Sequence, residues 1–182
     1  MRLIYFAFIL LLTSCNSKTE VIEKFANGKP KKTIEHYDND STCEKSYYEN
    51  GKLKEIKCFK SGKQIGEQLY FREDGTKAAL MTFSNGIRHG QTYEFYPSGK
   101  VAFEGIVKNG EFEGLSKWYF KNGKLNFIGS RHLGKDTGWW YYFNIQGDTM
   151  RRTYTKSEND TTQYYDGKGN KIKIDEWENI TR

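Results

Sequence analysis

Residues 99–121 read GKVAFEGIVKNGEFEGLSKWYFK, and this stretch decides the fold. A run from Lys100 to Lys108, rich in β-branched and aromatic residues, stops at Asn109-Gly110. A second run, Glu111 to Phe120, stops at Asn122-Gly123. Asn-Gly is the strongest short hairpin signal, because both residues accept the positive φ of a type I′ turn. The same punctuation stands at Asn50-Gly51, Ser61-Gly62, Asp74-Gly75, Asn85-Gly86 and Ser98-Gly99. One glycine per unit keeps time at steps of 22 to 24 residues: Gly28, Gly51, Gly75, Gly99, Gly123, Gly147 and Gly169. A fixed period of this length marks stacked supersecondary units. Helix caps and 3.6-residue stripes are missing. The expectation is an all-β fold, an elongated antiparallel β-hairpin meander of about six 24-residue repeats in one twisted sheet.

The turns also imply a register. Around Asn109-Gly110, Val107 faces Phe112, Gly105 faces Gly114, Phe103 faces Ser116 and Val101 faces Trp118; one unit later, Gly129 faces Gly138. Paired glycines would leave bare backbone that a neighbouring ring can approach. Phe71, Phe95, Tyr119 and Phe143, four residues before successive period glycines, supply rings to the opposite face. A two-residue loop at Asn50-Gly51 makes paired positions sum to 101, so Cys43 opposes Cys58, Glu44 opposes Lys57 and Tyr48 opposes Leu53. Counted from the period glycines, Cys43 aligns with Glu67, Gln91 and Leu115, and Cys58 with Thr82, Ile106 and Ser130. Directly opposed residues lie within disulfide reach. A Cys43–Cys58 bond is therefore expected.

Composition agrees with strands that bury one side. Only 36% of residues are hydrophobic while 16% are aromatic, which suits ring-rich faces rather than a thick aliphatic core. The net charge of +6 is spread along the whole chain, so it reads as solvated strand faces and not as a nucleic-acid site.

The first residues have a different character. Arg2 precedes an uncharged apolar stretch, Leu3 to Leu12, too short to span a bilayer and shaped like a secretory signal. It ends in Leu12-Thr13-Ser14-Cys15, which resembles the lipobox of bacterial lipoproteins. That resemblance implies a signal peptide over 1–14 and acyl chains on Cys15, whose buried methylenes contribute ~0.8 kcal/mol each. Residues 15–23 then read as the lipidated cysteine and a polar tether, 24–174 as the array, and 175–182 as a C-terminal tail. The location implied is the cell envelope. Asn16 after the cysteine favours the outer membrane, facing the periplasm, in a Gram-negative cell.

Tyr48 to Leu53, Asn85 to Gly90 with Tyr93, and Asn109 to Gly114 with Trp118 together resemble the bacterial variant of the MORN repeat. The likeness runs from about Phe25 to Ile174 and weakens at the ends, where Asn39 and Glu158 replace the mid-repeat glycine and Thr162 the later one. It implies hairpin arrays that bind proteins or sit at membranes, and some bacterial members carry an antitoxin label.

Catalytic signals are missing. His36, His89 and His132 occupy different repeat positions, and neither a metal-spaced pair nor a G-x-S-x-G elbow occurs. No catalytic residue, metal site or cofactor is expected. Arg88-His89, Arg131-His132 and Arg151-Arg152 are candidates for an anion-binding strip along one edge, or are plain turn residues. Trp139-Trp140-Tyr141-Tyr142-Phe143 is the densest ring cluster, and alternation puts Trp140 and Tyr142 on the face opposite Trp139 and Tyr141. Trp139, Trp140, Tyr141 and Tyr142 are the candidate interface, since Trp and Tyr dominate binding hot spots. The expected partners are a membrane, through the anchor, and a protein. Three functions stay open: a lipid-anchored interaction scaffold, an antitoxin or immunity protein against an envelope-acting toxin, and a carbohydrate-binding or hydrolytic envelope protein.

Overall fold

The computed structural model describes residues 17–37, 40–155, 161–166 and 168–174. They form fourteen strands: β1 (Lys18–Lys24), β2 (Pro30–His36), β3 (Ser41–Tyr47), β4 (Leu53–Lys60), β5 (Lys63–Phe71), β6 (Lys77–Ser84), β7 (Ile87–Phe95), β8 (Val101–Lys108), β9 (Glu111–Tyr119), β10 (Leu125–His132), β11 (Lys135–Phe143), β12 (Thr149–Thr155), β13 (Thr161–Tyr165) and β14 (Lys171–Ile172). Each pairs antiparallel with the next, in chain order, within a single open sheet. Residues 18–23, read above as a tether, lie in β1, which is paired along β2. The signal segment, Cys15, Asn39, Glu158 and the tail 175–182 lie outside the described residues.

Two turn classes alternate along the sheet, where one class was expected. Ser61-Gly62, Asn85-Gly86, Asn109-Gly110 and Leu133-Gly134 have positive φ at both residues, as a type I′ turn demands. At the period glycines only the glycine is left-handed. There the loop has three residues: the Tyr48 N–H donates to the Lys52 carbonyl, and the Gly51 N–H to the Tyr48 carbonyl. The same pair of bonds recurs around Gly28, Gly75, Gly99, Gly123, Gly147 and Gly169. Asn50 and Asn122 keep ordinary φ because each carboxamide oxygen accepts the backbone N–H two residues on, at 2.9 Å. The longer loop moves Leu53 opposite Tyr47, not Tyr48, while Cys43–Cys58 and Glu44–Lys57 keep the expected partners.

A third glycine set corrects the register further. Gly66, Gly90, Gly114 and Gly138 all have positive φ and sit at bulges where three residues of one strand oppose one of its neighbour. Gly105 therefore faces Ser116 instead of Gly114, and Phe103 faces Trp118 instead of Ser116. Trp118 is thereby the partner of Phe103 and not of Val101, and on the β11 side Gly129 opposes the three bulged residues 138–140 rather than Gly138 alone. Glu67–Thr82, Gln91–Ile106 and Leu115–Ser130 are partners as expected, since in each hairpin a one-residue register shift beside the period glycine offsets its three-residue loop.

The corrected register explains how the described residues make a core from one sheet. Thr92, Gly105, Ser116 and Gly129 form a row of small residues across β7 to β10 on one face. Rings from either side fold over that row. A methyl on Gly105 would stand 2.9 Å from Phe103 Cζ and 3.2 Å from Phe112 Cε1. At Gly129 it would fall into the Trp140 indole, 2.5 Å from Cε3 and closer still to Cδ2 and Cε2. Ser116, Val107, Trp140, Thr92 and Phe103 are accordingly buried. We call this the ring face.

Candidate interaction surface

The residues that carry the repeat motif are absorbed by the fold. Beside the period glycines, successive turns are stitched together along one long edge of the sheet. The Tyr48 hydroxyl donates to the Phe71 carbonyl at 2.8 Å, and the Tyr96 hydroxyl to the Tyr119 carbonyl at 2.6 Å. Lys52 Nζ reaches the Asp74 carbonyl, Lys100 Nζ the Asn122 carbonyl and Lys124 Nζ the Gln146 carbonyl, at 2.7–2.9 Å. Where Arg72 replaces the tyrosine, its guanidinium reaches the Phe95 carbonyl. Where a turn carries them, the tyrosine, the lysine and the asparagine satisfy carbonyls of the next turn, which leaves residues that vary between repeats as the candidates for function.

The ring face carries the most distinctive group of these. Phe103, Trp118, Phe127 and Tyr142 are successive cross-strand partners over β8 to β11, and Arg151 on β12 follows opposite Tyr142. Trp118 and Phe127 stack with centroids 4.3 Å apart and an interplanar angle of 16°. Aromatic pairs of this kind contribute ~0.5–1.5 kcal/mol beyond the area they bury. Three guanidiniums lie over the array. Arg151 is 4.0 Å from the Tyr142 centroid, and Arg88 is 5.7 Å from that of Phe112. Arg131 lies 5.1 Å from Phe112, 5.1 Å from Trp118 and 5.5 Å from Trp140, its Nε bonded to Asp136. Arg131 stands where Phe59, Phe83 and Val107 stand at the preceding 24-residue steps. That broken hydrophobic position was the available signal for it. No local motif singles out Phe103 or Phe127, which join the array only through the bulged register.

The four candidate interface residues divide as alternation requires. Trp140 and Tyr142 belong to the ring face, where Trp140 is only 3% exposed and therefore acts as core. Trp139 and Tyr141 are half-buried on the other face. There Trp139 meets Tyr154 at 5.1 Å and the Arg152 guanidinium at 4.8 Å, and Arg152 also covers Tyr165 and bonds Gln163. The arginines do not form a strip along one edge: Arg88, Arg131 and Arg151 lie over ring-face aromatics, Arg152 over those of the opposite face. His132 turns to Glu113 at 3.0 Å.

The face opposite the rings holds ion pairs over the array centre. Glu104 accepts from Lys117 at 2.7 Å and from Tyr119 at 2.6 Å. The Lys117 bond and then the Tyr119 bond hold its carboxyl below the usual range. Burial, and the bond to Glu104, push the Tyr119 hydroxyl up. Lys45 in the same way holds Glu35 low. Cys43 and Cys58 form a disulfide on this face, with Cα atoms 4.1 Å apart. Among the described residues no group of three or more His, Cys, Asp or Glu is placed to hold a metal, and no helix is long and apolar enough to cross a membrane.

Comparison with known proteins bears on the repeat. No curated protein matches the chain. Among solved structures, accessory secretory protein 1, 2 and 3 of Streptococcus pneumoniae matches 71% of this chain at 18% identity with a TM-score of 0.22. The match spans 19% of that protein's own chain. The profile of the MORN repeat variant matches residues 43–61, 88–109 and 112–131. Repeats of this kind generally mediate protein or membrane interactions and are not enzymes. At these three stretches the chain carries MORN-variant repeats.

Proposed function

We propose that this chain is a non-catalytic, lipid-anchored protein of the cell envelope that serves as a protein-interaction scaffold. One observation carries the reading: rings and guanidiniums are interleaved on a sheet face that no second layer covers among the described residues. Arginine and aromatic residues dominate binding hot spots, and stacking holds each guanidinium still before a partner arrives, which lowers the ordering cost of binding. The lipobox-like Leu12-Thr13-Ser14-Cys15 supports the anchor. A scaffold with both features would hold a partner protein at the membrane.

Crosslinking in intact cells followed by pull-down tests the scaffold role. The wild type should capture a defined protein, and Arg151→Ala and Arg88→Ala should each lose it while the sheet stays folded by circular dichroism. Capture that survives both changes refutes the assignment to the ring face. For the anchor, the wild type should carry acyl mass and fractionate with membranes, and Cys15→Ser should carry none. Wild type without lipid refutes it.

A further inference from the structure

Two opposite charges flank the aromatic array of the ring face. The cross-strand row of Phe103, Trp118, Phe127 and Tyr142 continues to Glu94 on β7 at one end and to Arg151 on β12 at the other. Glu94 is exposed, and among the described residues neither it nor Arg151 makes a hydrogen bond or an ion pair. Arg151 is held only by stacking on Tyr142. Five strand steps, about 24 Å, separate the two charges, so they cannot meet within one chain. Between them the rings are stacked across the strand direction, with interplanar angles of 16° for Trp118 on Phe127 and 25° for Phe127 on Tyr142. Rings stacked in this direction turn their edges outward. They present no open face to a flat ligand, while edges suit edge-to-face contact with further rings.

The row is self-complementary. It reads acid, four rings, base, and a two-fold axis running along the strands between β9 and β10 exchanges its ends. Glu94 of one copy then lies over Arg151 of the other, Phe103 over Tyr142 and Trp118 over Phe127, and each contact forms twice. Arg88 on β7 and Arg131 on β10 fall over β12 and β9 of the other copy, so no guanidinium meets its own counterpart. An axis along the row would instead set Glu94 on Glu94 and Arg151 on Arg151. A twisted sheet turned about the first axis keeps its hand and its local strand direction, so the two faces follow each other as the sheets of a sandwich do. Six strands at ~4.8 Å and eight residues at ~3.3 Å offer about 800 Å² per copy, the size of a standard stable interface. The same axis keeps both chains pointing one way. The segment before Lys18 leaves the sheet at the edge away from the Gly28 turn, hence on one side in both copies, as two anchors in one membrane require.

We infer that the ring face takes a second copy of this chain, packed face to face as a symmetric dimer with Glu94 of each copy on Arg151 of the other. The inference rests on the reading of this face as an interaction surface and names its partner.

Sedimentation of the full chain in detergent tests it, and the wild type should have twice the mass of one chain. Glu94→Arg and Arg151→Glu each oppose like charges at both ends of the interface, and each should weaken association on the order of a hundredfold. Mixed in equal amounts, the two variants should regain the wild-type association, because each copy then meets the opposite charge at both ends. A foreign protein bound to the same face would not produce that rescue. Circular dichroism should match the wild type throughout, since neither side chain bonds within its own copy. A wild-type chain that sediments as a monomer overturns the inference, whatever the variants do. So do single variants that associate as the wild type does, or folded variants whose mixture stays apart. Capture of a different protein by a monomeric chain refutes the dimer and leaves the scaffold reading standing. That reading fails separately, when crosslinking in intact cells captures neither a second copy nor any other protein.

Discussion

Gly129→Ala isolates the packing principle of this sheet. The backbone at Gly129 is ordinary, so the cost of a methyl is steric. Three Trp140 ring atoms would lie within 2.5 Å of the new carbon, against the ~3.5–4.0 Å of normal carbon contact. The indole would have to retreat by more than 1 Å, to the order of magnitude, and it is hemmed in by Trp118, Phe127 and Arg131. Overpacking of this kind costs ~1–3 kcal/mol. Alanine recovers about 0.5–1 kcal/mol of strand preference over glycine. The net expectation is a loss of about 1 kcal/mol, or about 2–4 °C in melting temperature for a chain of this size. A double-mutant cycle with Trp140→Leu supplies the control. Removing the indole is itself costly, up to the ~3–5 kcal/mol of a truncation to alanine, but in that background Gly129→Ala should become neutral or stabilising. Urea unfolding followed by tryptophan fluorescence measures all four corners. Additive losses, with the alanine equally harmful when Trp140 is absent, would refute the account of a small-residue row roofed by rings.

Two further outcomes follow from the opposite face. The Cys43–Cys58 bond closes a 15-residue separation, so reduction should lower stability by up to ~3 kcal/mol through loop-closure entropy, read as the shift in urea midpoint with and without reductant. An unchanged midpoint would mean that the ladder alone holds β3 to β4. Glu104 and Glu35 have carboxyls held low in the folded state by Lys117 and Lys45, so their contribution is present above the ordinary carboxylate range and is lost as pH falls through their depressed values. Glu104→Gln should flatten that acid limb in pH-dependent unfolding; an unaltered limb would show that the pair does not couple to folding.

Much of this fold was legible in the chain because its signals are local. Positive φ can be met cheaply only by glycine and a few polar residues, so Asn85-Gly86 and Asn109-Gly110 announce their turns, and the 24-residue beat announces the repeat. The Cys43–Cys58 pairing was legible too, because the extra loop residue at the Gly51 turn is offset by a one-residue shift between Ser46 and Tyr47, which restores the register of a two-residue loop. What stayed hidden depends on the third glycine of each unit. Gly114 and Gly138 look like packing glycines in sequence, yet each is left-handed and shifts the register, and only hydrogen bonding to the neighbouring strand shows it. The shift at Gly114 sets Gly105 beside Ser116 and Phe103 beside Trp118, and the one at Gly138 sets Phe127 beside Tyr142, and so the two place the rings. The division of Trp139 to Tyr142 between two faces followed from alternation alone. Which of them is core did not, since Trp140 is buried only because Gly129, on another strand, leaves room for it. The sequence by itself determined where the chain turns, because turning is a property of a few consecutive residues. The tertiary structure decided which surfaces remain open, because burial depends on what the adjoining strands bring.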